Sequence, residues 1–128
     1  HENYVDRKEG ASVGRFESTV AAQYVPYIVP QENGNKEEVR WLTLTDPQSR
    51  TGIRITGAAT FGFSALHFTP EQMTAAYHPY ELAANPDTTL LIDAAQRGVG
   101  TASCGPDTLE KYRIQPGTYR LRLLLEAE

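Results

Sequence analysis

Apolar and polar positions alternate along much of the chain, which predicts several short β-strands. In residues 38–45, Val39 and Trp41 fall on one face, and Leu42 and Leu44 fall on the other. A strand with apolar side chains on both faces is typical of a position that is covered on both sides. We therefore expect a central strand here, with Trp41 in the core.

The same reasoning predicts further strands, and turn signals separate them. These strands cover residues 13–16, 53–56, 64–68, 88–92, 111–114 and 119–125. Residues 53–56 follow a turn at 46–52, so they should pair with the strand 38–45 as a hairpin. Prolines interrupt the apolar residues 24–30, which predicts an edge strand or an extended crossing segment. Asn33-Gly34 then favours a hairpin turn.

One helix is predicted, and its start is well marked. Thr69 can cap the first free N–H groups, Pro70 suits the first helical position, and Gln72 completes a capping box. The helix should end near Tyr77, because the residue before Pro79 avoids the helical region. A brief helical turn is also expected within residues 18–23. Many short strands with one short helix predict an all-β fold, an antiparallel β-sandwich.

A glycine-rich stretch, residues 93–108, follows the predicted strand 88–92. It contains Gly98, Gly100 and Gly105 as well as the only cysteine, Cys104. Glycine permits positive φ angles and close approach of the backbone to a ligand. Long loops in compact domains tend to be functional or disordered, and this one lacks the charge-rich composition of a disordered segment. We therefore expect an ordered binding loop.

Composition excludes several classes of function. The 128 residues suffice for one domain or part of one, and the net charge of −4 argues against a nucleic-acid partner. The chain has no apolar run long enough to cross a membrane. A single cysteine excludes an internal disulfide framework. The polar N-terminus carries no recognisable signal peptide, so we expect a cytoplasmic protein.

No residue pattern predicts a complete active site. His1, His67 and His78 lack a metal-ligand spacing. Cys104 has no second cysteine to share a zinc ion. It could act as a nucleophile with a histidine, but a small side chain lining the loop is the simpler interpretation. No motif singles out the two carboxylates of a glycosidase, and the chain is too short for a barrel of about 250 residues. The aromatic residues, Trp41 in particular, suit a core better than a sugar-stacking surface, but Tyr24 and Tyr27, which lie beside prolines, fit either interpretation.

Four stretches resemble the carboxy-terminal domain of the bacterial glycoside hydrolase family 2 β-galactosidases, in the family's order. They are Glu2-Asn3-Tyr4-Val5-Asp6-Arg7; Tyr24-Val25-Pro26-Tyr27 with Pro30-Gln31-Glu32-Asn33-Gly34-Asn35; Phe63-Ser64-Ala65-Leu66-His67 with His78-Pro79-Tyr80-Glu81-Leu82; and the loop 96–107. Four motifs in order are specific, although each alone is weak. In the family a Gly-Pro pair precedes the first motif, so the chain resembles the second half of that domain.

The resemblance implies a partial galactose mutarotase-like supersandwich that works within a retaining β-galactosidase acting on lactose-like sugars. The catalytic glutamates and the magnesium and sodium ligands of the family have no counterpart in this chain. The loop is expected to line the substrate pocket with Arg97, Ser103, Cys104 and Gly105. Some members have a tryptophan at the position of Cys104, where it stacks on the sugar. The implied partners are the remaining domains, a galactoside, and further copies in a homo-oligomer.

Two other functions remain open from sequence alone. The chain could be a free-standing sugar-binding module, or a structural domain that serves mainly in assembly. As a fragment it should be inactive alone, and a half-domain should expose apolar surface and self-associate.

Overall fold

A computed structural model describes residues 2–7, 12–101 and 104–128 of the chain. Four strands form its framework: β1 (Lys36–Thr45), β2 (Gly52–Leu66), β3 (Thr89–Asp93) and β4 (Leu123–Ala127). The α-helix α1 spans Pro70–Ala75. Short 3-10 turns cover Ala21–Gln23, Pro79–Glu81 and Glu110–Tyr112. The prediction of an all-β fold with one short helix is confirmed.

All four strands belong to one antiparallel sheet that is built around β2. β1 pairs along β2, from Thr45 opposite Gly52 to Lys36 opposite Phe63. β3 and β4 pair with different stretches of β2, residues 62–66 and 53–57. The long β2, and not β1, is therefore the central strand, so the predicted central position of residues 38–45 is wrong. Residues 64–68 were expected to form a separate strand, but residues 64–66 are the end of β2.

A β-bulge explains why the predicted faces of β1 are partly wrong. The pairing changes register between Val39, which lies opposite Phe61, and Trp41, which lies opposite Thr56. In a regular strand Val39 and Leu42 would face opposite sides of the sheet. The bulge turns Val39 to the same side as Leu42, and both pack in the core. Trp41 points to the other face and is 38% exposed, so the prediction of a core tryptophan is wrong. Its ring instead contacts the guanidinium carbon of Arg54 at 4.2 Å from the ring centroid.

Three other local predictions differ from the structure. Residues 13–16 form no strand, and Val13 and Phe16 are exposed, because none of the described strands pairs with them. Residues 111–114 do not form a strand, since residues 110–112 close a 3-10 turn in which the N–H of Tyr112 donates to the carbonyl of Leu109. Asn33-Gly34 does not join two strands but precedes β1, with Gly34 at φ +75°.

The predicted start of the helix is confirmed. The Thr69 side chain accepts the N–H of Gln72, and the Gln72 side chain accepts the N–H of Thr69, which is the expected capping box. The helix ends at Ala75, two residues before the predicted end. Residues 24–30 form no strand of the described sheet, and the N–H of Tyr27 donates to the carbonyl of Val25, so the extended crossing segment stays a prediction.

The core lies on one face of the sheet, where Leu42, Ile55 and Phe61 are buried together. The face is incompletely covered near β4. Leu125, opposite Ile55 in the register, is 58% exposed, and Leu124, on the other face, is 57% exposed. The described residues thus form one sheet, and the second layer of a sandwich or supersandwich stays a prediction.

Candidate functional site

The predicted binding loop follows β3 and folds back on itself. We call residues 94–108 the glycine-rich loop. Thr101 donates both its N–H (3.2 Å) and its hydroxyl (3.0 Å) to the carbonyl of Pro106. The buried hydroxyl of Thr108 donates to the carbonyl of Gly98 at 2.7 Å. Gly100 has φ +59°, and a Cβ there would lie 2.7 Å from the backbone nitrogen of Thr108. The closed conformation therefore requires glycine at this position.

The glycine-rich loop is held by the first motif of the chain. One carboxylate oxygen of Asp6 accepts the N–H of Val99 at 3.0 Å, and the other accepts the N–H of Gly100 at 2.9 Å. Arg7 donates to the carbonyl of Gly100 at 3.3 Å. A Cβ on Gly98 would lie 2.7 Å from the carboxyl carbon of Asp6. Asp6 can approach this backbone only because residue 98 has no side chain.

An ion-pair cluster closes the other side of the loop. Arg97 contacts one carboxylate oxygen of Asp107 at 2.6 Å, and Arg113 contacts the other at 3.2 Å. The hydrogen bond from Arg97, with the N–H of Thr108, lowers the pKa of Asp107. Nε of Arg113 also donates to the carbonyl of Thr108 at 2.7 Å. Arg97, predicted to bind substrate, is thus engaged with Asp107 in this structure.

The other predicted pocket residues lie at the tip of the glycine-rich loop. Cys104 is a free, exposed cysteine whose N–H donates to the carbonyl of Thr101 at 3.1 Å. Gly105 lies so close to Thr101 that a Cβ would be 2.8 Å from the threonine hydroxyl. Ser103 lies outside the described residues. The structure brings Cys104 and Gly105 together at the tip, while substrate contact by any of these residues stays a prediction.

A second set of contacts ties the first motif to the stretch before β1. The Glu2 carboxylate accepts the hydroxyls of Tyr4 and Tyr27 and, at 2.8 Å, the N–H of Gly34. The hydrogen bond to Glu2 raises the pKa of Tyr27 to about 12. Burial, with the charge of Glu2, raises the pKa of Tyr4. Asn3 continues the connection, because its side-chain oxygen accepts the N–H of Glu37 at 2.6 Å.

Sequence reasoning missed the residues that hold the loop. Residues 4–7 form a tight turn that the bridge between Tyr4 and Arg7 closes, and nothing in residues 2–7 alone predicted a support for the loop. Their role as an anchor depends on contacts over more than ninety positions of the chain, which no local pattern displays. One signal in the sequence could have indicated the contact: the first motif and the loop are both among the four stretches that resemble the family.

The described residues contain no group of three or more His, Cys, Asp or Glu that could hold a metal ion. His67 contacts the carbonyl of Asp87 at 3.1 Å, and His78 contacts Glu81 at 3.0 Å. Burial raises the pKa of Asp93, at the end of β3. Within the described ranges, no helix is long and apolar enough to cross a membrane.

The fold and the loop define an all-β chain with an anchored, glycine-rich loop after β3. Residues 1–125 match the family model described as beta galactosidase small chain, so the chain belongs to this family. The resemblance found in the motifs is confirmed at this level.

Several relatives carry the name β-galactosidase. The one from Priestia megaterium (strain DSM 319 / IMG 1521) is 43% identical over 130 residues, which cover 97% of this chain and 12% of the relative. The one from Streptococcus thermophilus is 40% identical over 84% of this chain and 10% of the relative. The one from Arthrobacter sp. (strain B7) is 34% identical over 98% of this chain and 13% of the relative. The chain thus spans only a small part of these relatives.

Proposed function

We propose that the chain is the carboxy-terminal portion of a glycoside hydrolase family 2 β-galactosidase, in which the glycine-rich loop completes the pocket for a galactoside. The portion is inactive alone, and the whole enzyme hydrolyses terminal β-galactosyl bonds of lactose-like sugars with retention. The observation that carries this proposal is the anchored loop, whose tip exposes Cys104 while Asp6 holds its base. An exposed tip on a fixed base is suited to lining a pocket formed with other domains.

The sheet supports a role within a larger enzyme. Leu124 and Leu125 lie on opposite faces of β4, and each is more than half exposed. A strand with apolar residues exposed on both faces needs further chain to cover it. The proposed partners are therefore the remaining domains of the enzyme and, through them, other copies in a homo-oligomer. The free thiol of Cys104 is compatible with the proposed cytoplasmic location.

Magnesium and sodium, expected for the whole enzyme, do not fit the described part of this chain. It offers no suitable cluster of ligands, and the arginines around Asp107 already occupy its carboxylate. The proposal therefore gives this chain no metal-dependent step. Its contribution is to bind and orient the sugar and to exclude water from the pocket.

The placement of the loop tip is tested with Cys104→Trp in the whole enzyme. Tryptophan would add a stacking surface for the sugar or its leaving group, so KM for an aryl galactoside should fall about fivefold, equivalent to about 1 kcal/mol. Ser49→Trp, in the distant turn between β1 and β2, is the matched control and should leave KM unchanged. An unchanged KM for Cys104→Trp would remove Cys104 from the pocket.

One observation favours a second function, sugar binding by the chain alone. Tyr77 and Tyr80 are exposed, and the ring of Tyr80 stacks on His78 with centroids 5.1 Å apart. Exposed aromatic rings are possible sugar-stacking surfaces. Isothermal titration of the isolated chain with galactose and lactose separates the two functions. Micromolar binding would support the free-standing module, and absence of binding would support the fragment.

A further inference from the structure

We propose that Asp6 is a positioning residue for the substrate, because its carboxylate fixes the backbone conformation of the glycine-rich loop. This inference rests on the proposed function, since it assumes that the loop tip reaches the sugar. Asp6 acts through the backbone at Val99 and Gly100, close to the base of the loop.

The geometry at Asp6 is specific to a carboxylate. Two successive N–H groups, of Val99 and Gly100, each point at a different oxygen of the same side chain. Successive N–H groups beside a residue with positive φ form a concave site for an anion, and Gly100 has that φ. Hydrogen bonds to a charged acceptor are stronger than those between neutral groups. Asparagine could accept only one of the two N–H groups and would turn an NH₂ towards the other.

The glycine at position 98 is matched to this carboxylate. A methyl group there would lie 2.7 Å from one oxygen and 2.9 Å from the other oxygen of Asp6. Backbone and carboxylate therefore fit only when residue 98 is glycine. Gly98 is held in turn on its other side, where its N–H donates to the carbonyl of Tyr112 and its carbonyl accepts the hydroxyl of Thr108.

Asp6 stands on a rigid support. In the same motif, the N–H of Asn3 donates to the carbonyl of Asn35 at 2.8 Å, and Nδ2 of Asn35 donates back to the carbonyl of Asn3 at 3.0 Å. Asn35 is buried and directly precedes β1. Hydrogen bonds thus tie the first motif to the residue before β1 at Asn3 and to the loop at Asp6. A loop held from the sheet in this way is pre-organised, which reduces the entropy lost on binding.

The test combines hydrogen–deuterium exchange and steady-state kinetics on the whole enzyme carrying Asp6→Asn. Exchange in peptides that cover residues 97–101 should accelerate at least about tenfold, because the N–H groups of Val99 and Gly100 lose their charged acceptor. KM for a galactoside should rise about tenfold while kcat changes less than about twofold, the signature of lost uniform binding. A merely structural defect would lower the amount of active enzyme and leave KM unchanged.

Asp46→Asn is the matched control. The Asp46 carboxylate also accepts backbone N–H groups, those of Gln48 at 2.9 Å and Ser49 at 3.3 Å, but in the turn between β1 and β2. It should accelerate exchange in that turn alone and leave KM unchanged. If Asp6→Asn does not fold, Gly98→Ala provides the second variant, because its Cβ displaces the same carboxylate. It should show the same faster exchange and the same rise in KM.

The outcomes separate this inference from the proposed function. Unchanged exchange at residues 97–101, or an unchanged KM in an enzyme whose KM does respond to Cys104→Trp, would overturn the role of Asp6 and leave the pocket role of the loop intact. If neither Asp6→Asn nor Cys104→Trp changes KM, the proposed function itself fails, and the positioning role falls with it. Faster exchange with a raised KM supports both.

Discussion

At the scale of single residues, the conformation of the glycine-rich loop depends on positions that exclude a side chain. Gly98 and Gly105 lie against Asp6 and Thr101, and Gly100 adopts a positive φ. These contacts fix the backbone from both sides, and the buried Thr108 fills the space between. The loop is therefore ordered by steric fit and hydrogen bonds, although few of its side chains are buried.

Gly100→Ala should destabilise the chain by about 1–3 kcal/mol, because it adds a clash with the backbone of Thr108 to an unfavourable φ. Gly117→Ala is the control, since the nearest atom would be 4.0 Å from its Cβ and its φ is not positive. It should be neutral or slightly stabilising. Urea unfolding of the chain at low protein concentration, followed by Trp41 fluorescence, measures both. Equal stabilities of the two variants would contradict the steric account.

The hydrogen bond between Tyr27 and Glu2 makes stability depend on pH in the alkaline range. The pKa of Tyr27 is raised from 10.0 to about 12 in the folded chain, so the folded state holds this proton more tightly than the unfolded state. Its contribution is complete below pH 10 and is lost as the pH rises towards 12. The stability difference between wild type and Tyr27→Phe should therefore shrink over this interval in urea titrations. A difference that stays constant between pH 9 and 12 would contradict the assignment.

At the scale of elements, sequence periodicity predicted the hairpin of β1 and β2 and the strand β3, and the capping residues predicted the start of the helix. Periodicity gave the wrong structure where contacts with other parts of the chain determine the conformation. The bulge that moves Trp41 out of the core depends on the partner strand. The alternation over residues 111–114 is too short to distinguish a strand from a turn, and residues 110–112 form a 3-10 turn. The loop was predictable from its glycines, whereas its anchor Asp6 was not, because a contact between distant positions leaves no local pattern.

The capping box of α1 can be tested with a matched pair of threonines. Thr69→Ala removes the acceptor for the N–H of Gln72 and should cost about 1 kcal/mol. Thr74 bonds the carbonyl of Pro70 within the helix, a contact that adds little to helix stability, so Thr74→Ala should change stability by less than about 0.5 kcal/mol. Urea unfolding compares the two. A larger loss for Thr74→Ala would show that the cap does not determine this helix.

At the scale of the whole molecule, the sheet is incompletely covered and the loop tip faces outward. The family model covers residues 1–125, and the relatives that match are far longer than this chain. Both features are expected if the chain folds against further domains of a β-galactosidase. From the same open surface we expect the isolated chain to associate with itself.

Light scattering with size-exclusion chromatography should show that the isolated chain forms oligomers larger than 14.2 kDa. Leu125→Lys should reduce this association, because it places a charge on the exposed part of β4. Arg120→Lys, a change that preserves charge on an exposed residue outside the strands, is the control. A wild-type chain that stays monomeric at high concentration would argue that the sheet needs no further partner.

We propose that this chain works as part of a large β-galactosidase. The most direct test is to isolate the native gene product from its host with an antibody against the chain, then to determine its intact mass and its activity on a chromogenic galactoside. We predict a polypeptide many times larger than 14.2 kDa that hydrolyses the galactoside. A product of about the chain's own mass, without hydrolysis, would contradict this proposal and favour a free-standing module.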